Sequence, residues 1–190
     1  MVSSSVSVST IIIVIFLPLI YTTGLKSVYE VQIQKEFLAS NIYLTFAHRL
    51  SSHGVYHGFA KFFFESAEEE RDHGKKLLDF YNVRNREVLL YDINIDDNIA
   101  KMEDLVEMIR AADQLEKQVY DNLIQVRLQA NTEKDYPTVH FIETVMLEEQ
   151  TTALKYMSDL VKRIERNSDN VAILLQMMDQ DLRKKQVKKP

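Results

Sequence analysis

The chain has 190 residues, of which 46% are hydrophobic and 27% are charged, enough to build one sizeable domain but not comfortably two. It contains only 4 Gly and 3 Pro, which argues strongly against sandwiches and barrels, because these folds need many tight turns. The absence of Cys removes disulfide scaffolds, thiolate zinc sites, iron–sulfur clusters and cysteine nucleophiles. A formal net charge of -5 argues against a nucleic-acid-binding protein. Any metal ligands must therefore be oxygen or imidazole groups.

The first 26 residues differ from the rest of the chain, because Lys26 carries the first charged side chain. The apolar run Ile11–Ile20 is too short to span a bilayer of roughly 30 Å as a helix, so we expect no stable membrane span. We predict that residues 1–24 are a secretory signal peptide, with the small residues Thr22 and Gly24 before the cleavage site. The n-region has no Lys or Arg, so an uncleaved signal anchor and a cytoplasmic chain with an unusual start remain alternatives.

The sequence predicts an all-α domain over residues 25–182. The predicted helices are Ser27–Ser52, Val55–Asn82, Ala100–Gln129, Thr138–Asn167 and a short fifth one, Asn170–Asp181. Gly54 is a typical helix-ending residue, and the short connection around it makes the first two helices antiparallel neighbours. Residues 83–98 break the helical period, whereas 131–137 form only a short polar turn. One long linker between two hairpins predicts a four-helix bundle with a long crossover between its second and third helices.

Polar side chains interrupt the apolar face of each long helix near its middle, at helical spacing. They are Glu36 on the first helix, Glu70 and His73 on the second, Glu116 on the third and Gln150 on the fourth. A buried carboxylate is costly unless it is paired or binds a cation. Three glutamates that converge without a cation would be strongly disfavoured as ions. A bound metal ion is the simplest explanation of the pattern.

The spacing Glu70-x-x-His73 places a carboxylate oxygen and an imidazole nitrogen one helical turn apart on the same face. Oxygen ligands with a single nitrogen favour iron, manganese or zinc over copper. The motif alone is weak, because Glu–His pairs at this spacing are common on solvent-exposed helices. Its combination with Glu36 and Glu116 at matching positions on other helices predicts a metal site in the core of the bundle.

Four segments of the chain resemble the ferritin family, specifically its heavy-chain, ferroxidase-active type. They are KEFLASNIYL (35–44), FAKFFFESAEEERDHGKKL (59–77), QLEKQV (114–119) and HFIETVMLEEQ (140–150). The resemblance covers Val28 to about Asp181 and implies a ferritin-like bundle, of which 24 copies form a hollow shell, with or without a second ferritin chain type. Each active subunit would oxidise Fe(II) to Fe(III) with O₂ or peroxide and pass it to a ferric mineral inside.

The resemblance also implies a di-iron ferroxidase centre within each subunit. The residues that match its ligands are Glu36, Glu70 and His73 for the first iron, Glu70 (bridging) and Glu116 for the second, and Glu69 as an auxiliary carboxylate. Gln150 resembles the amide beside the centre that light-type subunits usually lack, and Tyr43 resembles the tyrosine that hydrogen-bonds within it. Without the resemblance, Tyr43 alone would be interpreted as a core aromatic. Light-type subunits lose several of these ligands, so the complete set implies an active subunit.

Two surface groups also match functional positions of ferritins. Glu65, Glu68 and Asp72 form an acidic patch on the second helix, which the resemblance implies is a site of mineral nucleation; a solvated acidic face is the alternative. His140 and Glu143 match positions that line the three-fold pore through which iron enters. The family commonly has two acids there, so we expect slower or more pH-dependent Fe(II) uptake, because an imidazole gains charge near neutrality.

The C-terminal region carries two further predictions. Residues 172–178 are apolar on nearly all sides, which predicts a buried helix, and in ferritins this helix lines the four-fold axis of the shell. Residues 183–190 add five positive charges, predicted to be a solvated tail, with docking to an anionic matrix or membrane as the alternative. His48, His53 and His57 are predicted to be surface residues rather than a metal-capture site.

Three functions are compatible with these patterns. The preferred one is a secreted or secretory-pathway ferritin subunit with ferroxidase activity and iron as its metal. The second is a non-catalytic shell subunit that stores iron oxidised by a partner. The third is a metal-free secreted helical bundle that binds another ligand, in the manner of four-helix cytokines.

Overall fold

The structure, a computed structural model, describes residues 8–85, 87–89 and 92–187, and it places side chains within residues 28–184 of these ranges. Its elements are α1 (Val8–His53), α2 (His57–Val83), α3 (Asp97–Ala100), α4 (Leu105–Thr132), α5 (Tyr136–Phe141), a π-helical turn (Ile142–Met146), α6 (Leu147–Glu165), a 3₁₀ turn (Ser168–Asn170) and α7 (Val171–Val187). These described ranges contain no strand. The predicted all-α class is confirmed.

The long helices pack side by side as a bundle. Helix α1 packs against α2 and α4, and α4 packs against α6. A short connection after His53 joins α1 to α2, whereas a long crossover from Arg84 to Asp104, which includes α3, joins α2 to α4. The predicted helical bundle with a long crossover between its second and third long helices and an additional C-terminal helix is confirmed.

The apolar faces of α1, α2 and α4 meet in one core. Its fully buried side chains include Ile33, Tyr43 and Phe46 of α1, Phe59, Phe63 and Leu77 of α2, and Ile109 and Leu123 of α4. Helix α6 contributes Met157 and Leu160, whereas Ala153 and Val161 are only half-buried. These two residues instead line openings at the edges of α6.

Helix boundaries differ from the predicted ones where capping decides them. Helix α4 begins at Leu105 rather than at Ala100 because Asp104 accepts a hydrogen bond from the Glu107 N–H at 2.9 Å and caps the helix.

Helix α1 begins at Val8 rather than at Ser27. The side chains of the predicted signal peptide, residues 1–24, lie outside the part that the structure describes. In that described part, no helix combines the length and the hydropathy needed to cross a bilayer.

The fourth predicted helix, Thr138–Asn167, is interrupted. Helix α5 begins at Tyr136, with Pro137 in its first turn and the carboxylate of Asp135 as its cap. The π-helical turn then separates α5 from α6. Such a turn contains one residue more than an α-helical turn and often lies at functional sites. The extra residue rotates α6 relative to α5. A single helical period drawn through both segments therefore does not predict which face of each helix points into the bundle.

Helix α7 is longer and more exposed than predicted. It buries one side, formed by Leu175, Met178, Asp179 and Leu182. Ile173 and Met177 are 62% and 59% exposed in the single chain, so the predicted burial of residues 172–178 would require contact with another subunit and stays a prediction. The predicted tail at 183–190 is helical as far as Val187, because Leu182 anchors this turn and basic side chains are favourable at a helix C-terminus.

The start of α2 is joined to α7 by a buried carboxylate. Asp179 is 3% exposed. It accepts a hydrogen bond from the Phe59 N–H at 3.0 Å, and Arg183 donates to its other oxygen at 2.8 Å. Because the first N–H groups of a helix have no partner within it, Asp179 acts as a cap from a distant helix. A Cβ atom on Gly58 would lie 2.2 Å from the Asp179 carbonyl oxygen, so this approach requires glycine.

The variant Gly58→Ala should therefore lower the free energy of unfolding by about 2 kcal/mol, since the added methyl group must displace backbone. The sign is informative, because Gly→Ala inside a helix ordinarily stabilises by about 1 kcal/mol. Thermal denaturation measures the change. The matched control is Lys61→Ala on the exposed face of α2, which should change stability by less than about 0.5 kcal/mol. Increased stability of Gly58→Ala would contradict the close contact of α7 with α2.

Candidate metal centre

Three ligand atoms from α1 and α2 meet in the middle of the bundle. Glu36, Glu70 and His73 each present one ligand atom, and these atoms all lie within 4.8 Å of one another. His73 Nδ1 is 3.6 Å from Glu70 Oε2 and 3.9 Å from Glu36 Oε2. Such separations fit a cation about 2.1 Å from each atom. All three residues are buried, and within the described residues none of these three atoms has a hydrogen-bond partner.

Local sequence explains why these groups converge. The i, i+3 spacing places Glu70 and His73 on one face of α2, and the same face buries Phe63 and Leu77. The next residue, Gly74, lets α1 approach closely: a Cβ atom there would lie 2.9 Å from the Phe37 ring. Since Phe37 directly follows Glu36, this close approach brings the Glu36 carboxyl within reach of α2.

The two carboxyl groups of this cluster are poorly solvated. Burial, followed by repulsion from Glu70, raises the pKa of Glu36 well above its usual value. Burial, followed by repulsion from Glu116, raises the pKa of Glu70 to about 8. Desolvation and like charges both favour the protonated form of a carboxyl. A divalent cation among these groups would lower the pKa of both carboxyls, because it supplies an opposite charge that favours their ionised form.

A second part of the cluster surrounds Glu116 on α4. The Tyr43 hydroxyl donates to one Glu116 oxygen and the Gln150 amide donates to the other. Burial raises the pKa of Glu116, although both hydrogen bonds oppose the shift. Burial, followed by the Glu116 charge, raises the pKa of Tyr43 well above its usual value, so its hydroxyl remains a donor. Both oxygens of Glu116 are thus engaged, whereas Glu36 Oε2 and Glu70 Oε2 have no hydrogen-bond partner among the described residues.

A cavity of about 590 Å³ joins the two parts and opens to the surface. Its lining includes Glu69, Glu70, Glu116, Glu149 and Tyr156. The carboxyl of Glu69 is exposed and lies on this path rather than in the buried cluster. The cavity provides a route along which an ion or a small oxidant can reach the centre.

The other candidate residues lie outside the centre. Glu68 and Asp72 are exposed and Glu65 is half-buried; Glu65 is 3.9 Å from Lys61 and Asp72 is 2.9 Å from Lys75. His140 is exposed, and Glu143 forms a 2.7 Å ion pair with Arg127. The predicted surface histidines His48, His53 and His57 are exposed.

Sequence reasoning missed Glu149, which contacts the far side of the histidine. His73 Nε2 is 2.8 Å from Glu149 Oε2, and Lys76 donates to both Glu149 oxygens at 3.1 and 2.8 Å. Partial burial opposes ionisation, but hydrogen bonds from Lys76 and His73 lower the pKa of Glu149. The ionised carboxylate accepts a hydrogen bond from the Nε2–H group, which leaves the Nδ1 lone pair facing Glu36 and Glu70. Glu149 lies at the exposed edge of α6, so hydrophobic periodicity could not indicate it.

The fold and this cluster define a helical-bundle protein with a carboxylate–imidazole centre in its core. The chain matches the family described as ferritin-like domain over residues 30–167. It belongs to the ferritin family.

Several relatives extend this comparison. The chain is 35% identical to a chloroplastic ferritin of Malus baccata var. xiaojinensis, over 77% of this chain and 60% of that protein. It is 34% identical to the soma ferritin of Lymnaea stagnalis and 33% identical to a ferritin-1 heavy chain of Schistosoma mansoni, in each case over 71% of this chain and 78% of the relative. The matched region thus spans about three fifths of the chloroplastic protein.

Proposed function

We propose that the chain is a ferritin subunit that oxidises Fe(II) to Fe(III) at an intrasubunit di-iron centre. The ferric product would be stored as a mineral inside a multi-subunit shell. The observation that supports this most directly is the buried group of Glu36, Glu70 and His73, whose ligand atoms lie within 4.8 Å of one another. Membership of the ferritin family supports iron as the ion.

In this proposal Fe(II) is a substrate. Two Fe(II) ions each lose one electron, and O₂ takes up the two electrons and two protons to become hydrogen peroxide. Hard carboxylate oxygens favour the ferric ion over the ferrous one, so Glu36 and Glu70 lower the free energy of the oxidised product relative to the reactant. Glu149 keeps the imidazole of His73 in the tautomer that can bind iron.

Glu116 would hold the second iron, with Glu70 shared between the two ions and Glu69 as an auxiliary carboxylate. Because Tyr43 and Gln150 already donate to Glu116, an ion there competes with two hydrogen bonds. We therefore expect weaker binding at the second position, from which ferric product can leave along the cavity. Release of product is what distinguishes a storage enzyme from a protein with a permanent metal cofactor.

The two alternative functions are less consistent with these contacts. A non-catalytic shell subunit does not need the complete inward-facing set. A metal-free bundle would leave Glu36 and Glu70 with unpartnered, buried oxygens and no cation to offset the resulting loss of stability.

Assembly into a shell of 24 subunits, with or without a second ferritin chain type, is part of the proposal. The exposed Ile173 and Met177 of α7 support a contact between subunits there. We further propose that Glu65, Glu68 and Asp72 nucleate mineral at the inner wall. Delivery to the secretory pathway remains a prediction, with a cytoplasmic location as the alternative.

The proposed activity is tested by loading the metal-free protein with Fe(II) under anaerobic conditions and then admitting air. Ferric absorbance should rise much faster than in a matched buffer solution, with oxygen consumed in proportion. A rise no faster than in buffer would contradict the proposal.

The composition of the proposed pore predicts slow uptake of iron. His140 adds no negative charge at its position, and Arg127 forms an ion pair with Glu143 within the subunit. His140→Asp should raise the initial uptake rate by about two- to tenfold, because an added carboxylate attracts Fe(II). The matched control is the exposed His57→Asp on α2, which should leave the rate unchanged. Equal uptake rates of the His140→Asp variant and the original chain would contradict the pore assignment.

A further inference from the structure

A buried amide lies one helical turn before the first metal ligand. Gln32 on α1 is 0% exposed, and its Nε2 group donates to Glu36 Oε1 at 2.7 Å. Residues four apart are neighbours on a helix surface, so this contact forms within α1. Gln32 is therefore a direct partner of the carboxyl that faces the centre.

The orientation of this amide is set from a different helix. Asn122 on α4 donates through Nδ2 to Gln32 Oε1 at 2.7 Å. If the Gln32 amide were rotated by half a turn, its NH₂ group would face the NH₂ group of Asn122 and its oxygen would face the Glu36 carboxylate. Both contacts would be repulsive. Asn122 thus holds Gln32 with its donor toward Glu36.

The consequence is that the two oxygens of Glu36 have different environments. Oε1 is engaged by Gln32. Oε2 has no hydrogen-bond partner among the described residues and lies 3.9 Å from His73 Nδ1. A carboxylate in this arrangement has one oxygen available for a cation, and its plane is held against rotation.

We propose that Gln32, oriented by Asn122, is a positioning residue that makes Glu36 a one-oxygen ligand of the first iron. This inference rests on the proposed ferroxidase function. Gln32 does not touch the ion; its amide N–H donates a hydrogen bond to Oε1, the Glu36 oxygen that the ion does not use. Partners of this kind orient ligands, and their loss typically lowers metal affinity about 10- to 100-fold.

The test is a Gln32→Met variant of the full chain, since Met keeps the length and approximate volume of Gln but lacks the N–H donor. Co²⁺ added anaerobically to the metal-free protein gives both a Kd and a visible absorption spectrum that reports the ligand geometry. We expect the Kd of the tighter site to increase about 10- to 100-fold and the spectrum to change. Asn122→Ala should give a smaller increase and should add little in the Gln32→Met background, because both changes act through one contact.

Gln34→Met is the matched control, because Gln34 is half-buried on α1 and lies on a different face from Gln32. Its Kd and spectrum should equal those of the original chain. An unchanged Kd and spectrum in Gln32→Met, with Co²⁺ binding and Fe(II) oxidation intact in the original chain, would overturn the positioning role alone. Failure of the original chain to bind Co²⁺ would overturn the proposed function as well.

If Gln32→Met does not fold, the Asn122→Ala variant tests the proposal in its place. An unchanged Kd for Co²⁺ in Asn122→Ala would overturn the positioning role, and an increase of threefold or more would support it.

Discussion

Replacing Glu70 with Lys and His73 with Gly in one chain should lower the initial rate of Fe(II) oxidation by more than about 100-fold. Loss of a residue that only hydrogen-bonds to a metal ligand typically lowers metal affinity or activity about 10- to 100-fold. This variant removes two of the three converging candidate ligands themselves. The introduced ammonium group would also repel Fe(II) from the remaining Glu36 carboxylate. The measurement is the rise of ferric absorbance after air is admitted to the anaerobically loaded protein.

The control for this variant must match its change in charge. Asp79→Lys changes the charge of α2 by the same amount as Glu70→Lys, and Asp79 is exposed. It should keep the oxidation rate within about twofold, because exposed charges are strongly screened by solvent and salt. The milder single variant Glu70→Gln separates loss of the ligand from misfolding, and it should also oxidise iron slowly. A Glu70→Gln protein that is folded and oxidises Fe(II) at the original rate would show that catalysis occurs elsewhere.

The metal-free protein should become less stable as the pH rises from about 5 to about 8.5. The pKa of the Glu70 carboxyl is about 8 in the folded chain, against 4.5 for a fully solvated glutamate such as that of the unfolded chain. Below the lower value both states hold the proton, and stability is unaffected. Between the two values the unfolded chain releases the proton while the folded chain retains it, so a rise in pH favours unfolding. Glu70 alone should lower the free energy of unfolding by on the order of 4 kcal/mol across this interval.

Denaturant titration of the metal-free protein at the two pH values measures this loss of stability. Glu70→Gln provides the comparison, because an amide does not ionise, and the variant should show a smaller decrease in stability over the same interval. Addition of Co²⁺ should restore most of the stability of the original chain at the higher pH, because a cation offsets the carboxylate charge and binds the folded state. Equal pH dependence in both proteins would mean that Glu70 is better solvated than its burial indicates.

Local patterns were sufficient to predict the fold class and the converging polar groups. Glu70 and His73 are three residues apart on one helix, so their common face follows from helical geometry alone. The inner faces of α1, α2 and α4 likewise follow from the spacing of residues such as Phe46, Phe63 and Ile109, all of which are buried. Each of these predictions needs only the period of a single helix.

The features that could not be predicted depend on how the helices are rotated against one another. The contact of His73 with Glu149 joins positions 76 residues apart, and that of Gln32 with Asn122 joins positions 90 apart. The π-helical turn before α6 changes which residues of that helix face inward. The start of α4 at Leu105 is a different case, because the Asp104 cap that sets it is a local signal, one that the apolar pattern used to place the boundary does not include.

The Asp179 cap has a consequence for the cooperativity of the whole subunit. It ties the last helix to the first turn of α2, and the same helix carries Glu70 and His73 roughly 17 to 21 Å further along, at about 1.5 Å per residue. A neighbouring subunit that contacts the outer surface of α7 would therefore be connected to the proposed iron ligands through an unbroken segment of helix. By thermodynamic linkage the influence runs both ways: subunits filled with iron should hold their C-terminal helices more firmly than empty ones.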